Sequence, residues 1–171
     1  MRKNNIILIG MPGAGKSTIG ILLAKALGME FIDTDVAIQV REGKTLQSIV
    51  DQHGYLRLRE IEQEVILQQT LRGAVVATGG SAVYGAQAMD YLAGQGIIVF
   101  IDVPIEQLRK RISNFNDRGI ARQPGQDFES LYRERASLYQ QYADITITIG
   151  EQSSEQVLEI ILSKLKEFPA A

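Results

Sequence analysis

Short apolar runs alternate along the chain with longer stretches of helical period. Residues 6–9 (Ile-Ile-Leu-Ile) form an unbroken apolar run closed by Gly10, the pattern of a buried central strand. Residues 18–28 have an amphipathic pattern and end on glycine, which predicts a helix. Phe31-Ile32 predicts a brief second strand that runs into Asp33-Thr34-Asp35. Helices are expected over 36–41, stopped by Gly43, and over 46–52, capped by Thr45 and ended by Gly54. A long helix over 55–71 places Leu58, Ile61, Val65 and Leu67 on one side and charged residues over much of the rest. Ala74–Ala77 reads as a third buried strand and 97–101 as a fourth, separated by a helix over 86–93 that Gly94 closes. A helix from about 104 to 112 carries proline near its first turn.

Residues 113–126 break the pattern. They are polar, carry glycine and proline, have no period, and form a longer connection than a compact fold needs. Asp127 caps a helix over Phe128–Tyr142, where Tyr132, Tyr139 and Tyr142 are expected to pack against the sheet. Residues 145–149 alternate apolar and polar like an edge strand, and 153–168 form a last amphipathic helix. Strands separated by helices throughout predict an α/β fold with a parallel sheet covered on both faces and a ligand at the carboxyl ends of the strands. One domain spans 1–171.

Four loops converge at that edge. Residues 10–17 (Gly-Met-Pro-Gly-Ala-Gly-Lys-Ser) fit G-x-x-x-x-G-K-[ST], a phosphate-binding loop set between a strand and a helix. Its glycines let backbone N–H groups turn toward one anion, Lys16 adds positive charge over the outer phosphates, and Ser17 offers a hydroxyl to Mg²⁺. The helix that follows aims its positive dipole at the same point. Asp33 and Asp35 follow the second strand. Either can cap the next helix, but beside a phosphate loop one can orient Mg²⁺ and the other can accept a hydrogen bond from an attacking hydroxyl. Gly79-Gly80 at the mouth of the third strand lets a ligand approach the backbone. The fourth loop is Asp102.

Composition narrows the chemistry. Apolar residues make up 45% of 171, the net charge is −2, and cysteine is absent. A packed globular domain follows, with no disulfide, no thiolate metal site and no general charge for nucleic acid. No apolar run reaches membrane-spanning length, so no membrane partner is expected and the default location is cytoplasmic. The single histidine, His53, reads as a helix-end residue. On the long helix Glu62 lies three residues after Arg59 and can hold its guanidinium as a clamp for a carboxylate. Arg135 offers a second clamp. Spacing alone does not separate these two from Arg57 and Arg133. The stretch 113–126 carries Arg118 and Arg122 and reads as a mobile lid that excludes water and brings charge to a transferring phosphoryl group.

Taken together, these motifs resemble the shikimate kinases, small P-loop kinases of the nucleoside-monophosphate-kinase-like group, over nearly the whole chain. The matching pieces are the nucleotide loop with Thr18, Asp33-Thr34-Asp35, Arg59-Glu60-Ile61-Glu62, Thr78-Gly79-Gly80, and Glu134-Arg135 with Leu138-Tyr139. The resemblance implies a three-layer P-loop kinase with five parallel strands ordered 2-3-1-4-5. It implies ATP on Gly13, Ala14, Gly15, Lys16, Ser17 and Thr18, with Arg111 stacked on adenine and the turn 150–154 bordering the base. Mg²⁺ would sit on Ser17 with support from Asp33. Asp35, Arg59, Gly79, Gly80 and Arg135 would bind the acceptor in a helical segment at about 33–62, and Arg118 or Arg122 would act from the lid. The implied reaction is ATP-dependent phosphorylation of shikimate, or a similar hydroxy acid, by a monomer. Three positions depart from the family pattern: the lid lacks Arg-Pro-Leu, Ser81 stands for the third glycine of a triplet, and Ser137 replaces a proline. A gluconate- or nucleotide-type kinase on the same scaffold, and a nucleotide-binding regulatory module without turnover, are the competing readings.

Overall fold

A computed structural model of the chain describes residues 4–112, 115 and 118–168. Five strands, β1 (Asn5–Ile9), β2 (Glu30–Asp33), β3 (Ala74–Ala77), β4 (Gly96–Asp102) and β5 (Ile145–Thr148), form one sheet in the order β2-β3-β1-β4-β5. Every pairing is parallel, with Ile7 of β1 beside Val76 and Ile98. The expected order is the one found. Burial explains the composition of the strands. β1 and β3 are buried at every position, and so lack polar alternation. β5 alternates buried and exposed, as an edge strand does.

The helices are α1 (Lys16–Leu27), α2 (Thr34–Glu42), α3 (Leu46–Gln68), α4 (Ala86–Gln95), α5 (Ile105–Arg111), α6 (Phe128–Tyr142) and α7 (Ser154–Glu167), with a short 3₁₀ turn over Ala82–Tyr84. Predicted stops hold at Gly28 and Gly43, both in the left-handed conformation. Helix α3 has no break in its numbering, yet Gly54 at φ 82 and ψ 166 is not helical. The two predicted helices therefore meet at a kink, and the second ends at Gln68 rather than at 71. Gly94 does not end α4. The helix continues to Gln95, and the chain passes straight into β4 through an extended Gly96 whose N–H still bonds Leu92 O. The return from α4 into the parallel strand β4 is made through that extended glycine and not through a left-handed cap.

The main core encloses the sheet. A second, smaller cluster holds α2 to α3: Ile38, Ile49, Leu58, Ile61 and Val65, joined by Ala121 from the long connection after α5. Of the predicted lid 113–126, residues 113, 114, 116 and 117 lie outside the described residues. The two clusters predict uneven stability. Ile49→Ala, at 1% exposure, should destabilise the α2–α3 unit by about 2–5 kcal/mol. Hydrogen exchange should then quicken in α2 and the first part of α3 well before β1 and β4; uniform quickening would mean a single cooperative unit.

Candidate active site

The phosphate loop is built by close approach. Gly10 has φ 148, and a Cβ there would sit 2.6 Å from Ile101 O of the neighbouring strand. Any side chain would push the loop off β4. Lys16, 8% exposed, donates to Gly10 O at 2.7 Å and Met11 O at 2.9 Å, so the loop's own carbonyls set its ammonium over the anion position. Burial pulls that ammonium down to about 8, with Asp35 opposing the shift.

Asp33 divides its two oxygens. Oδ1 accepts from the backbone N–H groups of Asp35 and Val36 and caps α2, while Oδ2 accepts from the Ser17 hydroxyl at 2.6 Å. Capping and function are thus both present in one carboxylate. Ser17 Oγ and Asp33 Oδ2 form a hard-oxygen pair at the mouth of the phosphate loop. That suits Mg²⁺, which takes one or two protein oxygens and fills its shell with water and phosphate. No cluster of three or more acidic, histidine or cysteine ligands exists among the described residues.

A cavity of about 310 Å³ runs from the loop into the α2–α3 side. Gly13, Gly15, Lys16, Ser17, Thr18 and Arg111 border its donor end, where Arg111 also reaches Ala14 O at 3.5 Å. Asp35, Glu62, Gly79, Gly80, Ser81 and Arg135 border the other. A Cβ on Gly79 would strike Glu62 Oε1 and lie 2.6 Å from Asp35 Oδ1, so two carboxylates press on this glycine. Burial, with Lys16 opposing, raises the Asp35 carboxyl. Burial and then the charge of Asp35 push Glu62 up to about 7. Gly80 makes room for Pro12 and for the Arg135 guanidinium, and its carbonyl accepts from Tyr139 at 2.7 Å.

Of two guanidinium groups that meet near the acceptor end, Arg135 lines the cavity and Arg59 is not among its lining residues. Arg135 is 1% exposed, and its Nη2 donates to Ala121 O at 2.7 Å; Arg59 Nη2 donates to the same oxygen at 3.1 Å. Neither forms an ion pair within 4.0 Å among the described residues, and the Nε of each is buried without a partner. The expectation that Glu62 holds Arg59 is not met. Glu62 is turned inward to the Ser81 hydroxyl, and aromatic faces hold Arg59 instead. Its guanidinium lies 3.5 Å from the Tyr84 ring centroid and 4.9 Å from that of Tyr55. The Tyr84 hydroxyl is fixed on Glu134. Arg57 and Arg133 turn instead to surface glutamates.

The lid arginines separate as well. Arg118 borders the cavity, and its charge acts on Asp35. Arg122 lies over the Phe115 ring at 4.6 Å and donates to Gln126 O, away from the cavity. Four residues make contacts at the site that the sequence did not assign to them. Glu62 lines the cavity, Ser81 binds it, Tyr84 stacks on Arg59, and Tyr139 packs as expected but also fastens Gly80 and touches Met11 Sδ at 3.9 Å. The departure at Ser81 was the one available signal; nothing in the sequence singles out Tyr84.

A phosphate loop at the carboxyl edge of a parallel sheet faces buried carboxylates and unpaired guanidinium groups across one cavity, an arrangement that defines a P-loop kinase of small anionic alcohols. The profile of the family described as shikimate kinase matches residues 12–166. The chain is 38% identical over 168 residues to the shikimate kinase of Vibrio vulnificus, covering 96% of this chain and 98% of that one. It is 36% identical over 165 residues to that of a Sulfurihydrogenibium species, at 95% and 98% coverage. The structure of shikimate kinase from Acinetobacter baumannii in complex with shikimate superposes with a TM-score of 0.87 at 33% identity, covering 95% of this chain and 93% of that one. The chain belongs to the shikimate kinase family. It is a phosphotransferase acting on an alcohol group, with ATP and Mg²⁺ as cofactors. Gly79→Ala, which drives a methyl between Asp35 and Glu62, should lower kcat/KM by about a hundredfold while circular dichroism stays native. A loss below tenfold would show that the two carboxylates do not need their present spacing.

Proposed function

We propose that this chain transfers the γ-phosphoryl group of ATP to a hydroxyl of shikimate, giving 3-phosphoshikimate for aromatic amino-acid biosynthesis. One observation carries the assignment of the acceptor site: two guanidinium groups, Arg135 buried and Arg59 half-buried, donate to a single carbonyl oxygen with no ion pair within 4.0 Å among the described residues. A site of that charge selects an acceptor bearing a carboxylate. Family membership selects the kinase over the regulatory module.

The roles follow from position. Residues 10–18 grip the triphosphate, and Lys16 neutralises charge on the outer phosphates. Ser17 and Asp33 hold Mg²⁺, which supplies charge neutralisation at the phosphoryl oxygens. Arg59 and Arg135 clamp the acceptor carboxylate. Gly79 and Gly80 give the ring close access, and Asp35 aligns the hydroxyl and accepts its proton. Arg118, bordering the cavity, is the lid arginine, and Arg111 faces the base. Residues 118–126 are the described part of the lid, and the segment at about 33–62 is the acceptor-binding part of a single domain. One chain supplies every group named, which supports a monomer; use of ATP supports a cytoplasmic location. No helix among the described residues is long and apolar enough to cross a membrane.

ADP release measured against shikimate, gluconate and nucleoside monophosphates tests the reading, and only shikimate should stimulate it strongly. Asp35→Asn should lower kcat by about 10²–10⁴-fold with ATP binding retained. Arg118→Ala should lower kcat by about a hundredfold or more, and Arg122→Ala by far less. Equal losses in the two arginine variants would overturn the choice between them.

A further inference from the structure

Ser81 follows directly on the two glycines and is 7% exposed. Its hydroxyl donates to Glu62 Oε2, and the two residues line the cavity together. It does not cap the 3₁₀ turn it precedes, so the hydroxyl has no backbone task at that helix end. Glu62, 2% exposed, has its other oxygen, Oε1, buried with no partner and set beside Asp35 Oδ1 against Gly79. A carboxylate with one oxygen fastened and the other free, at the wall of a cavity built for a polyhydroxylated acid, is arranged to receive a hydroxyl.

We propose that Ser81 is a positioning residue for the acceptor. Its hydroxyl fixes Glu62 so that Oε1 remains available to a ring hydroxyl of the substrate. This rests on the acceptor reading given above. The groups that face Glu62 are Asp35 from α2, Lys16 from the phosphate loop and Arg135 from α6, with Ser81 itself. Asp35 disfavours the charged form, and Arg135 and Lys16 favour it. The Ser81 hydroxyl is the strongest of the influences that favour it, standing against burial and Asp35. Its removal would leave Oε2 buried and unpaired and would drive Glu62 toward the protonated form, in which one oxygen becomes a donor.

The test begins with the parent enzyme. If shikimate does not stimulate its ADP release, the acceptor reading fails before Ser81 is at issue. With that stimulation in hand, Ser81→Ala should raise the KM for shikimate by about tenfold at neutral pH, the scale of one lost hydrogen bond to a charged group. The KM for ATP and the kcat should change by less than about twofold, because the donor half is untouched. The acid limb of kcat/KM for shikimate should move upward by about half a pH unit or more, since Glu62 then ionises at higher pH. Ser81→Thr keeps the hydroxyl and should restore both quantities. Ser81→Gly has no methyl to accommodate and should behave as the alanine variant does. A shikimate KM within about twofold of the parent, an unmoved acid limb, or equal rises in the KM for shikimate and for ATP would each overturn the proposal.

Discussion

Positive charge buried without a counter-ion is the constraint on which the rest of the site depends. Lys16 and Arg135 are almost fully enclosed, and Arg59 is half-buried between two aromatic rings. Such groups cost stability unless something offsets them. The protein uses partners that orient without neutralising: carbonyl oxygens for Lys16 and Arg135, ring faces and the same carbonyl for Arg59. An ion pair would hold each cation more tightly and would also consume the charge that the anionic substrates need. The carboxylates that do face the cavity, Asp35 and Glu62, are themselves pushed toward protonation, both by burial, Asp35 also by Asp33 and Glu62 also by Asp35, so they compensate only in part.

Asp33 shows how the fold and the site are joined. One oxygen starts α2 by accepting two backbone N–H groups, and the other faces Ser17 across the phosphate loop. The same residue ends β2 and begins the unit that carries Asp35. The strand pairing of β2 with β3 in turn sets Asp33 level with Ala77, one residue before Thr78 and the two glycines. Parallel register brings donor and acceptor residues to one edge with no long loop to place them.

How much of this was legible in the sequence follows from where each constraint lies. The phosphate loop, Asp33 and Asp35 were readable because their chemistry needs short, fixed spacings in one stretch of chain. The sheet order followed from family resemblance and the run of alternating elements. What holds Arg59 is not legible in the sequence. The spacing to Glu62 on one helix is suitable for a pair, and only the packing of the 3₁₀ turn against α3 shows Glu62 taken by Ser81 and Arg59 by Tyr84. Those contacts join residues 19 and 25 positions apart, and no local pattern encodes them. The choice of Arg118 over Arg122 depends on the direction of side chains in an irregular segment, where periodicity gives no guide. Gly94 lies inside α4 because the turn into β4 is made two residues later at the extended Gly96, and the local pattern does not choose between two such close glycines.

Ala121 ties these threads together. Its side chain belongs to the small core under α2 and α3, and its carbonyl accepts from both acceptor-site arginines. Close by, Gly119 N–H donates to Gln47 Oε1 at the start of α3. Residues 119 and 121 of the long connection are thus fastened to α3 and the small core. A substrate carboxylate forms charge-assisted hydrogen bonds to guanidinium groups that are roughly twice as strong as those of a neutral carbonyl. Ala121 O therefore directs the two guanidinium groups without giving them what a carboxylate would. One peptide group thus joins the small core under α2 and α3 to both arginines, so the packing of that core also sets where their charge lies.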